Sequence, residues 1–325
     1  MLVTSRGQTV VVDPAEGAAI SSWDLRATRV ALASVLRRRP EAYHARLVAH
    51  DRAAEESAIG ETEAAALSEV AGGHAAAAAA DAPRTIHDIV NVKEPGLAAF
   101  LHYDRHERRS GIVHLLPADG STCLDDLIHV SCPELGDFVE GAFEPTVVEP
   151  DRLVLRRLGR LRSDDVDRPL VVEKTYRFAG GRMDPTLALE TIVENPGEDA
   201  LSFELAVEWN VNLLGGGHNP AAYYESEPDE RTPHDVSGEG KAASAIAFGN
   251  DYEGVRVEAR PEPAANLTWY PVETVSNSEG GFERVYQGSS LLFRWPVSLE
   301  PGERRAFAVR FAVTQTIDRA ADEAK

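Results

Sequence analysis

The sequence lacks most features that would place the protein in a membrane, on nucleic acid or in a disulfide-bonded fold. Its 325 residues include only two cysteines, Cys123 and Cys132. The first prediction is therefore two reduced thiols in a cytoplasmic protein, with a bridge between them as the alternative. No secretory signal is recognisable at the N-terminus, and no apolar run approaches the ~18 residues of a membrane span. The formal net charge of −20 argues against nucleic acid and anionic membranes, because both require clustered Lys and Arg.

Common catalytic and cofactor motifs are missing as well. No nucleophile elbow, phosphate-binding loop or HExxH motif is present, and the glycines of residues 215–217 follow a strand without leading into a helix. His102, Asp104 and His106 lie close together in the sequence. A structural or surface role is the favoured interpretation of these three, because no matching zinc ligands accompany them. The sequence therefore predicts no cofactor and no metal site, and it assigns no catalytic residue.

Strand patterns dominate the chain after residue 110. Short apolar or alternating segments are separated there by turns rich in Gly, Pro, Asp and Asn. Many strands at short intervals with few helices predict a mainly β, antiparallel sandwich. The predicted strands are residues 8–13, 17–24, 111–116, 147–161, 170–178, 187–194, 201–212, 243–248, 254–259 and 305–315.

The N-terminal part is predicted to differ from the sandwich. Residues 25–50 have a helical pattern that Pro40 must interrupt, so two short helices are expected, one on each side of it. Residues 52–82 are rich in alanine and glutamate and contain almost no large apolar side chain, which predicts an exposed helix and then a linker. We therefore divide the chain into residues 1–83, which dock on the sandwich, and the sandwich itself, residues 84–325.

Residues 201–212 show the clearest alternation of apolar and polar side chains. One face is apolar, and the other carries Glu208, Asn210 and Asn212. Carboxylates and amides on a concave sheet are suited to bind sugar hydroxyls. The commoner alternative is a solvated outer face.

A second polar segment, residues 269–295, is predicted to form two strands joined by a glycine-containing turn. Trp269 and Trp295 bracket it, and aromatic rings can stack on pyranose rings. From its residues, two roles remain open for this segment: contact with sugar, or structure within the domain. Its candidate binding residues are Trp269, Glu273, Ser278, Glu279, Glu283 and Gln287.

The amino-acid sequence of this segment resembles that of a known family. TVSNSEGGFERVYQG, residues 274–288, is similar to the C-terminal β-sandwich region of the family-57 glycoside hydrolases, the group of α-amylases and 4-α-glucanotransferases. Three further blocks resemble the same region in the same order. They contain Arg38, Glu41, Tyr43 and His44; then Lys93, Glu94, Tyr103 and Asp104; then WNVNLLGGG, residues 209–217.

The resemblance implies a galactose mutarotase-like super-sandwich with a few N-terminal helices. In full-length members a barrel carries the two catalytic carboxylates, and neither position is expected in this chain. The implied function is a non-catalytic accessory domain that binds α-glucan or maltooligosaccharide, or that supports a separately encoded barrel. Docking of that barrel is then the third role open for residues 269–295. Two alternatives remain open. One is an aldose 1-epimerase-like enzyme with a sheet carboxylate as base and a histidine as acid, and the other is a purely structural interaction module.

Overall fold

The computed structural model describes residues 1–70, 91–163, 166–216, 219–227 and 230–317. The alanine-rich stretch at 71–82, the predicted boundary at 83/84 and Gly217 lie outside these residues. The chain forms two compact units. The first contains Met1–Arg37, Asp104–Val272 and Tyr286–Lys325, and the second contains Arg38–Tyr103 and Glu273–Val285.

Strands make up most of the described chain. The N-terminal strands are β1 Leu2–Thr4, β2 Gln8–Asp13 and β3 Ala19–Leu25. The next group is β4 Ile112–Leu116, β5 Glu144–Val148, β6 Arg152–Ser163, β7 Val166–Gly180, β8 Pro185–Glu194 and β9 Leu201–Val211. The last group is β10 Ala222–Glu227, β11 Glu230–Pro233, β12 Gly238–Ala243, β13 Ile246–Asn250, β14 Val255–Glu262, β15 Ala265–Ser278, β16 Gly281–Leu299 and β17 Arg304–Gln315. The helices are α1 His44–Val70 and α2 Leu124–Ile128, with a 3₁₀ turn at Leu97–Phe100.

Three antiparallel sheets are formed by these strands. The largest has the order β11-β10-β13-β14-β17-β8-β7-β6-β5, the second has the order β12-β15-β16-β9-β4, and β1, β2 and β3 form the third. Apolar side chains of all three sheets contribute to one buried core. The prediction of a mainly antiparallel β sandwich is thus confirmed.

The core of the first unit is built around aromatic side chains contributed by each sheet. Trp209 of β9 lies with its ring centroid 4.2 Å from that of Phe311 on β17. Trp23 of β3 contacts both rings, at centroid distances of 6.2 and 5.6 Å. Aromatic side chains bury large apolar areas and so contribute heavily to stability. This cluster joins the three sheets.

Two local predictions were wrong. No helix precedes Pro40, because the backbone before it bonds to neighbouring strands: Leu32 N–H donates to Trp23 O, and Leu32 O accepts from Asn212 N–H. Residues 147–161 are not one strand. β5 and β6 form a hairpin, closed by a bond from Glu149 N–H to Arg152 O.

The second unit has a small core of its own. Leu47 of α1, Leu97, Val275 and Phe282 are buried together. Asp51 of α1 accepts a hydrogen bond from Ala98 N–H at 2.8 Å. The predicted helix after Pro40 is therefore present, and Leu47 and Asp51 in its N-terminal part are buried.

Candidate functional site

A cavity of about 400 Å³ lies in the first unit beside the five-stranded sheet. Its lining combines side chains of that sheet with residues from the segments before β4 and after it. The sheet residues are His114, Leu116, Glu208, Tyr270 and Leu292. The other lining residues include Arg105, His106, Arg108, Asp126, Leu127, Cys132, Glu134, Asp137 and Glu140.

Strand β9 directs Glu208 towards this cavity. In the sheet register, Glu208 lies opposite Ile112 of β4 and Leu292 of β16. The apolar face of β9, which includes Trp209, packs into the core, so the alternation predicts the orientation of Glu208 correctly. The polar face is not solvated, however, because Glu208 is only 3% exposed.

Arg108 is held between two carboxylates. Its Nη2 lies 2.5 Å from Asp104 Oδ1, and its Nη1 lies 2.9 Å from Glu208 Oε1. All three side chains are almost completely buried. Charged hydrogen bonds of this kind are strong and directional, so they hold Glu208 in one orientation.

Two histidines contact the other oxygen of Glu208. His106 Nε2 lies 3.2 Å from Glu208 Oε2, and His114 Nε2 lies 2.8 Å from the same atom. The opposite nitrogen of His114, Nδ1, lies 2.8 Å from Glu134 Oε2. The second oxygen of Glu134 accepts the backbone N–H groups of Leu115 and Gly136. His114 is therefore held between two carboxylates, each of which has further partners.

Residues before β4 place Arg108 and His106 beside β9. Ser110 Oγ donates to Asn210 O at 2.7 Å, and Asn210 Nδ2 donates to Arg109 O at 2.7 Å. Gly111 has a φ of 77°, which favours glycine. A Cβ at this position would also lie only 2.9 Å from the hydroxyl of Tyr176. The chain can turn into β4 here because this residue has no side chain.

The electrostatics follow from these contacts. Burial alone would raise the pKa of Glu208, but the charge of Arg108 and the hydrogen bonds from both histidines outweigh it and hold that pKa well below its usual range. Burial alone would lower the pKa of His114, but the hydrogen bonds to Glu134 and Glu208 raise it to about 10. Burial likewise opposes the charge of Arg108, whose pKa is nevertheless raised by its acidic neighbours and Tyr270. The wall of the cavity is thus a network of ionised groups.

The chain matches a known family over most of its length. Residues 1–309 match the family described as "Alpha-amylase/4-alpha-glucanotransferase, C-terminal". The chain belongs to this family.

Curated relatives of this domain are longer than the chain. Alpha-amylase 1 of Dictyoglomus thermophilum is 28% identical over 314 residues, which are 96% of this chain and 40% of that protein. A 4-alpha-glucanotransferase of Thermococcus kodakarensis is 28% identical over 229 residues, which are 70% of this chain and 29% of that protein. The chain therefore spans well under half the length of these relatives.

Solved structures show the same fold. The crystal structure of 4-alpha-glucanotransferase from Thermococcus litoralis covers 97% of this chain with 37% of its own, at a TM-score of 0.65 and 20% identity. The GalM/aldose epimerase homologue from C. elegans covers 98% of this chain with 99% of its own, at a TM-score of 0.55 and 11% identity. The predicted galactose mutarotase-like class of this family domain is confirmed. In the described part of the chain, no helix has the length and apolarity needed to cross a membrane.

The structure distributes the predicted binding residues of the family domain over several places. Glu208 lines the cavity, whereas Asn210 is buried behind it and donates to Glu208 Oε1 at 2.8 Å. Asn212 is half-buried and donates to Ser34 O at 3.2 Å. Gln287 is half-buried on β16, outside the residues that line the cavity. Of these four residues, only Glu208 faces the cavity.

Both bracketing tryptophans belong to the core. Trp269 is 5% exposed and packs against Tyr224 at a centroid distance of 6.2 Å. Trp295 is 3% exposed, packs on Phe307 and donates its Nε1–H to Pro263 O. Neither ring has an open face on which a pyranose could stack. The stacking role considered for Trp269 therefore requires correction, because its side chain belongs to the main apolar core.

The remaining predicted residues lie in the second unit, at the turn between β15 and β16. Glu279 is exposed, and Ser278 Oγ donates to Gly281 O at 3.1 Å. Glu283 forms an ion pair with Lys93. Glu273 Oε2 lies 3.3 Å from Arg284 Nη1. The predicted two strands and polar turn are confirmed, while a binding role for these side chains stays a prediction.

Several cavity residues were missed by sequence reasoning. His114 and Arg108 were not selected, and His106 was assigned a structural or surface role. The signal for His114 was a single polar residue within the apolar strand Ile112–Leu116, since a buried imidazole requires hydrogen-bonding partners. Glu134 lies in a loop and gives no such signal.

Proposed function

We propose that this chain is an accessory domain of an α-glucan-active enzyme and that its cavity binds a glucosyl unit. Membership of the C-terminal family supports the first part, because its relatives are called alpha-amylases and 4-alpha-glucanotransferases. The observation that carries the second part is the cavity with its ionised wall at Glu208. A separately encoded or covalently linked barrel supplies the chemistry in this proposal, and membership of glycoside hydrolase family 57 belongs to it too.

The cavity has properties that suit a sugar. Its volume of about 400 Å³ lies within the range of ~300–1,000 Å³ typical of small-molecule sites. Apolar side chains such as Leu292 lie beside hydrogen-bonding groups such as Tyr270 and Arg105. A pyranose presents both C–H surfaces and hydroxyl groups, so it can use both kinds of contact. The ion pairs of Arg108 order its wall before binding, which lowers the entropic cost.

Isothermal titration calorimetry with maltoheptaose tests this proposal. Arg105 is exposed at the cavity, and Arg105→Ala should weaken binding about tenfold, or about 1.4 kcal/mol. The matched control is Arg260→Ala, because this arginine is also exposed and lies outside the cavity. The affinity of Arg260→Ala for maltoheptaose should equal that of the unaltered chain, and neither variant should change the melting temperature. Equal binding of cellohexaose, or no binding of maltoheptaose by the unaltered chain, would contradict an α-glucan site here.

The exposed turn of the second unit is a second candidate contact. Its ion pairs, which include Lys93 with Glu283 and Arg284 with Glu94, order a polar surface that is suited to a catalytic domain. The proposal is that the catalytic barrel contacts Glu279 and Glu283. The pair Glu279→Ala and Glu283→Ala should leave the melting temperature and maltoheptaose affinity unchanged while weakening association with that barrel. Loss of glucan binding by these variants would instead indicate a sugar site at the turn.

The arrangement of Glu208 and the histidines also favours one second candidate, an aldose 1-epimerase-like activity. Two imidazoles each lie within hydrogen-bonding distance of one carboxylate beside a cavity, as an acid–base pair requires. Against it, the pKa of Glu208 lies well below its usual range and that of His114 is raised to about 10. General acids and bases work best with pKa values near the working pH. A polarimetric mutarotation assay decides between the two, since turnover that Glu208→Gln abolishes would support the epimerase.

A cytoplasmic location is also part of the proposal. Cys123 and Cys132 are free thiols, and Cys123 is exposed. Thiols persist in reducing compartments. Fractionation of the source cells, followed by immunoblotting of each fraction, tests this location.

A further inference from the structure

Three donor atoms converge at one side of the cavity. His106 Nε2, His114 Nε2 and a carboxylate oxygen of Glu208 all lie within 4.8 Å of one another. The two histidine nitrogens are 3.2 and 2.8 Å from the same oxygen, Oε2. Tetrahedral Zn²⁺ with bonds of ~2.0–2.1 Å to N and O ligands requires ligand atoms ~3.3 Å apart. Small side-chain adjustments would therefore bring all three atoms into coordinating positions.

The neighbours of these residues orient the donors in the way that metal sites require. Glu134 Oε2 lies 2.8 Å from Nδ1 of His114. A proton on Nδ1, donated to Glu134, leaves the lone pair of Nε2 directed at the site. Carboxylate–histidine contacts of this kind commonly set the tautomer of metal-binding histidines. Arg108 and Asn210 hold Oε1 of Glu208 at 2.9 and 2.8 Å, so Oε2 is the oxygen that remains to bind a cation.

Charge balance also favours a dication. Asp104, Glu134 and Glu208 contribute three negative charges to the network, and Arg108 contributes one positive charge. Both histidines contact Glu208 through Nε2, so a bound ion would replace the protons shared there, and two negative charges would then remain on the network. A divalent ion compensates both at the point where the three donors meet. Buried charge without compensation is costly, so the network has a physical reason to bind such an ion.

We propose that His106, His114 and Glu208 bind one divalent transition-metal ion, with Zn²⁺ as the best fit. Two imidazoles and one carboxylate form a ligand set typical of zinc sites with an open fourth position. Ca²⁺ and Mg²⁺ prefer oxygen ligands throughout. The cavity leaves the fourth position to water or to a ligand hydroxyl. Sugar binding is not required for this proposal.

The test is calorimetric titration of the full chain, freed of metal with EDTA and dialysed, with ZnCl₂ and no carbohydrate. One equivalent of Zn²⁺ should bind, and His114→Ala should weaken that binding at least 100-fold. Glu134→Gln, which removes the carboxylate behind His114, should weaken it about 10–100-fold. The matched control is His129→Ala, because this exposed histidine also pairs with an acidic residue, Asp125. Its Zn²⁺ affinity should equal that of the unaltered chain.

A second variant and a spectroscopic measurement keep the test decisive if His114→Ala does not fold. His106→Gln changes a ligand nearer the surface and should also abolish tight binding. Co²⁺ added to the unaltered chain should give the visible absorption typical of tetrahedral coordination, and Zn²⁺ should remove it. Equal Zn²⁺ affinity in His106→Gln and His129→Ala would overturn the proposal, as would the lack of a Co²⁺ spectrum. Because no sugar is present, these results are independent of the glucan experiment.

Discussion

Replacing Arg108 with methionine should lower the free energy of unfolding by about 3–5 kcal/mol, because it leaves two buried carboxylates without their cation. The side chains of Arg108, Asp104 and Glu208 are 3%, 1% and 4% exposed. Methionine preserves much of the apolar volume of the arginine stem. The loss therefore reports on the charge contacts more than on packing.

The magnitude follows from burial and not from distance. Arg108 Nη1 and Glu208 Oε1 are 2.9 Å apart, and so are Arg310 Nη2 and Glu262 Oε2. The second pair is exposed, with side chains 65% and 68% accessible. Coulomb's law at 2.9 Å gives ~6 kcal/mol for an effective dielectric constant of ~20 and ~1.4 kcal/mol for that of water. Desolvation offsets part of the first figure, and side-chain entropy and salt offset most of the second.

Urea denaturation in the presence of EDTA, followed by tryptophan fluorescence, measures the free energy of unfolding of Arg108→Met and of a control variant. All four tryptophans, Trp23, Trp209, Trp269 and Trp295, are buried in the first unit, so the signal reports on its unfolding. Arg310→Met is the matched control and should cost less than ~1 kcal/mol. Equal losses in the two variants would refute the reasoning, since they would show that burial of the Arg108 network does not determine its contribution.

Three further predictions concern groups outside this network. Burial lowers the pKa of Lys174 to about 7. Between pH 7 and 9 the unfolded chain therefore keeps a proton on this lysine that the folded chain has lost. As the pH rises over this range, the free energy of unfolding should increase by roughly 2 kcal/mol relative to that of Lys174→Met. Urea denaturation at both pH values measures this difference, with Lys241→Met at an exposed lysine as the control. A difference that does not change with pH would show that folded Lys174 stays protonated. Trp269→Ala should cost about 3–5 kcal/mol as a core truncation, measured by thermal melting; a loss below 1 kcal/mol would argue for a surface role. Glu283→Ala should leave the melting temperature nearly unchanged, since its pair with Lys93 is partly exposed and exposed ion pairs contribute little to stability. A large drop in melting temperature would show that this pair holds the turn together.

Local patterns determined much of the fold. Alternation along residues 201–212 predicted which side chains of β9 enter the core, and the run of polar residues and glycine after residue 276 predicted the turn between β15 and β16. These predictions held because strand alternation and turn chemistry depend on adjacent residues. They failed at residues 25–40, where the apolar spacing suggested a helix. That segment instead bonds to Trp23 and Asn212, and no local pattern encodes those partners.

The sequence by itself determined the β class, the likeness to the C-terminal family and the placement of Glu208 on the face of β9 opposite the apolar core. Only the tertiary structure decided what surrounds that carboxylate. His106, His114 and Glu134 approach it from a loop, a strand and a second loop. Their approach depends on the pairing register of β4 with β9, and His106, Arg108 and His114 lie 94 to 102 residues from Glu208 in the sequence. It also decided that Trp269 is covered, because the sheets that pack against this side chain come from distant parts of the sequence.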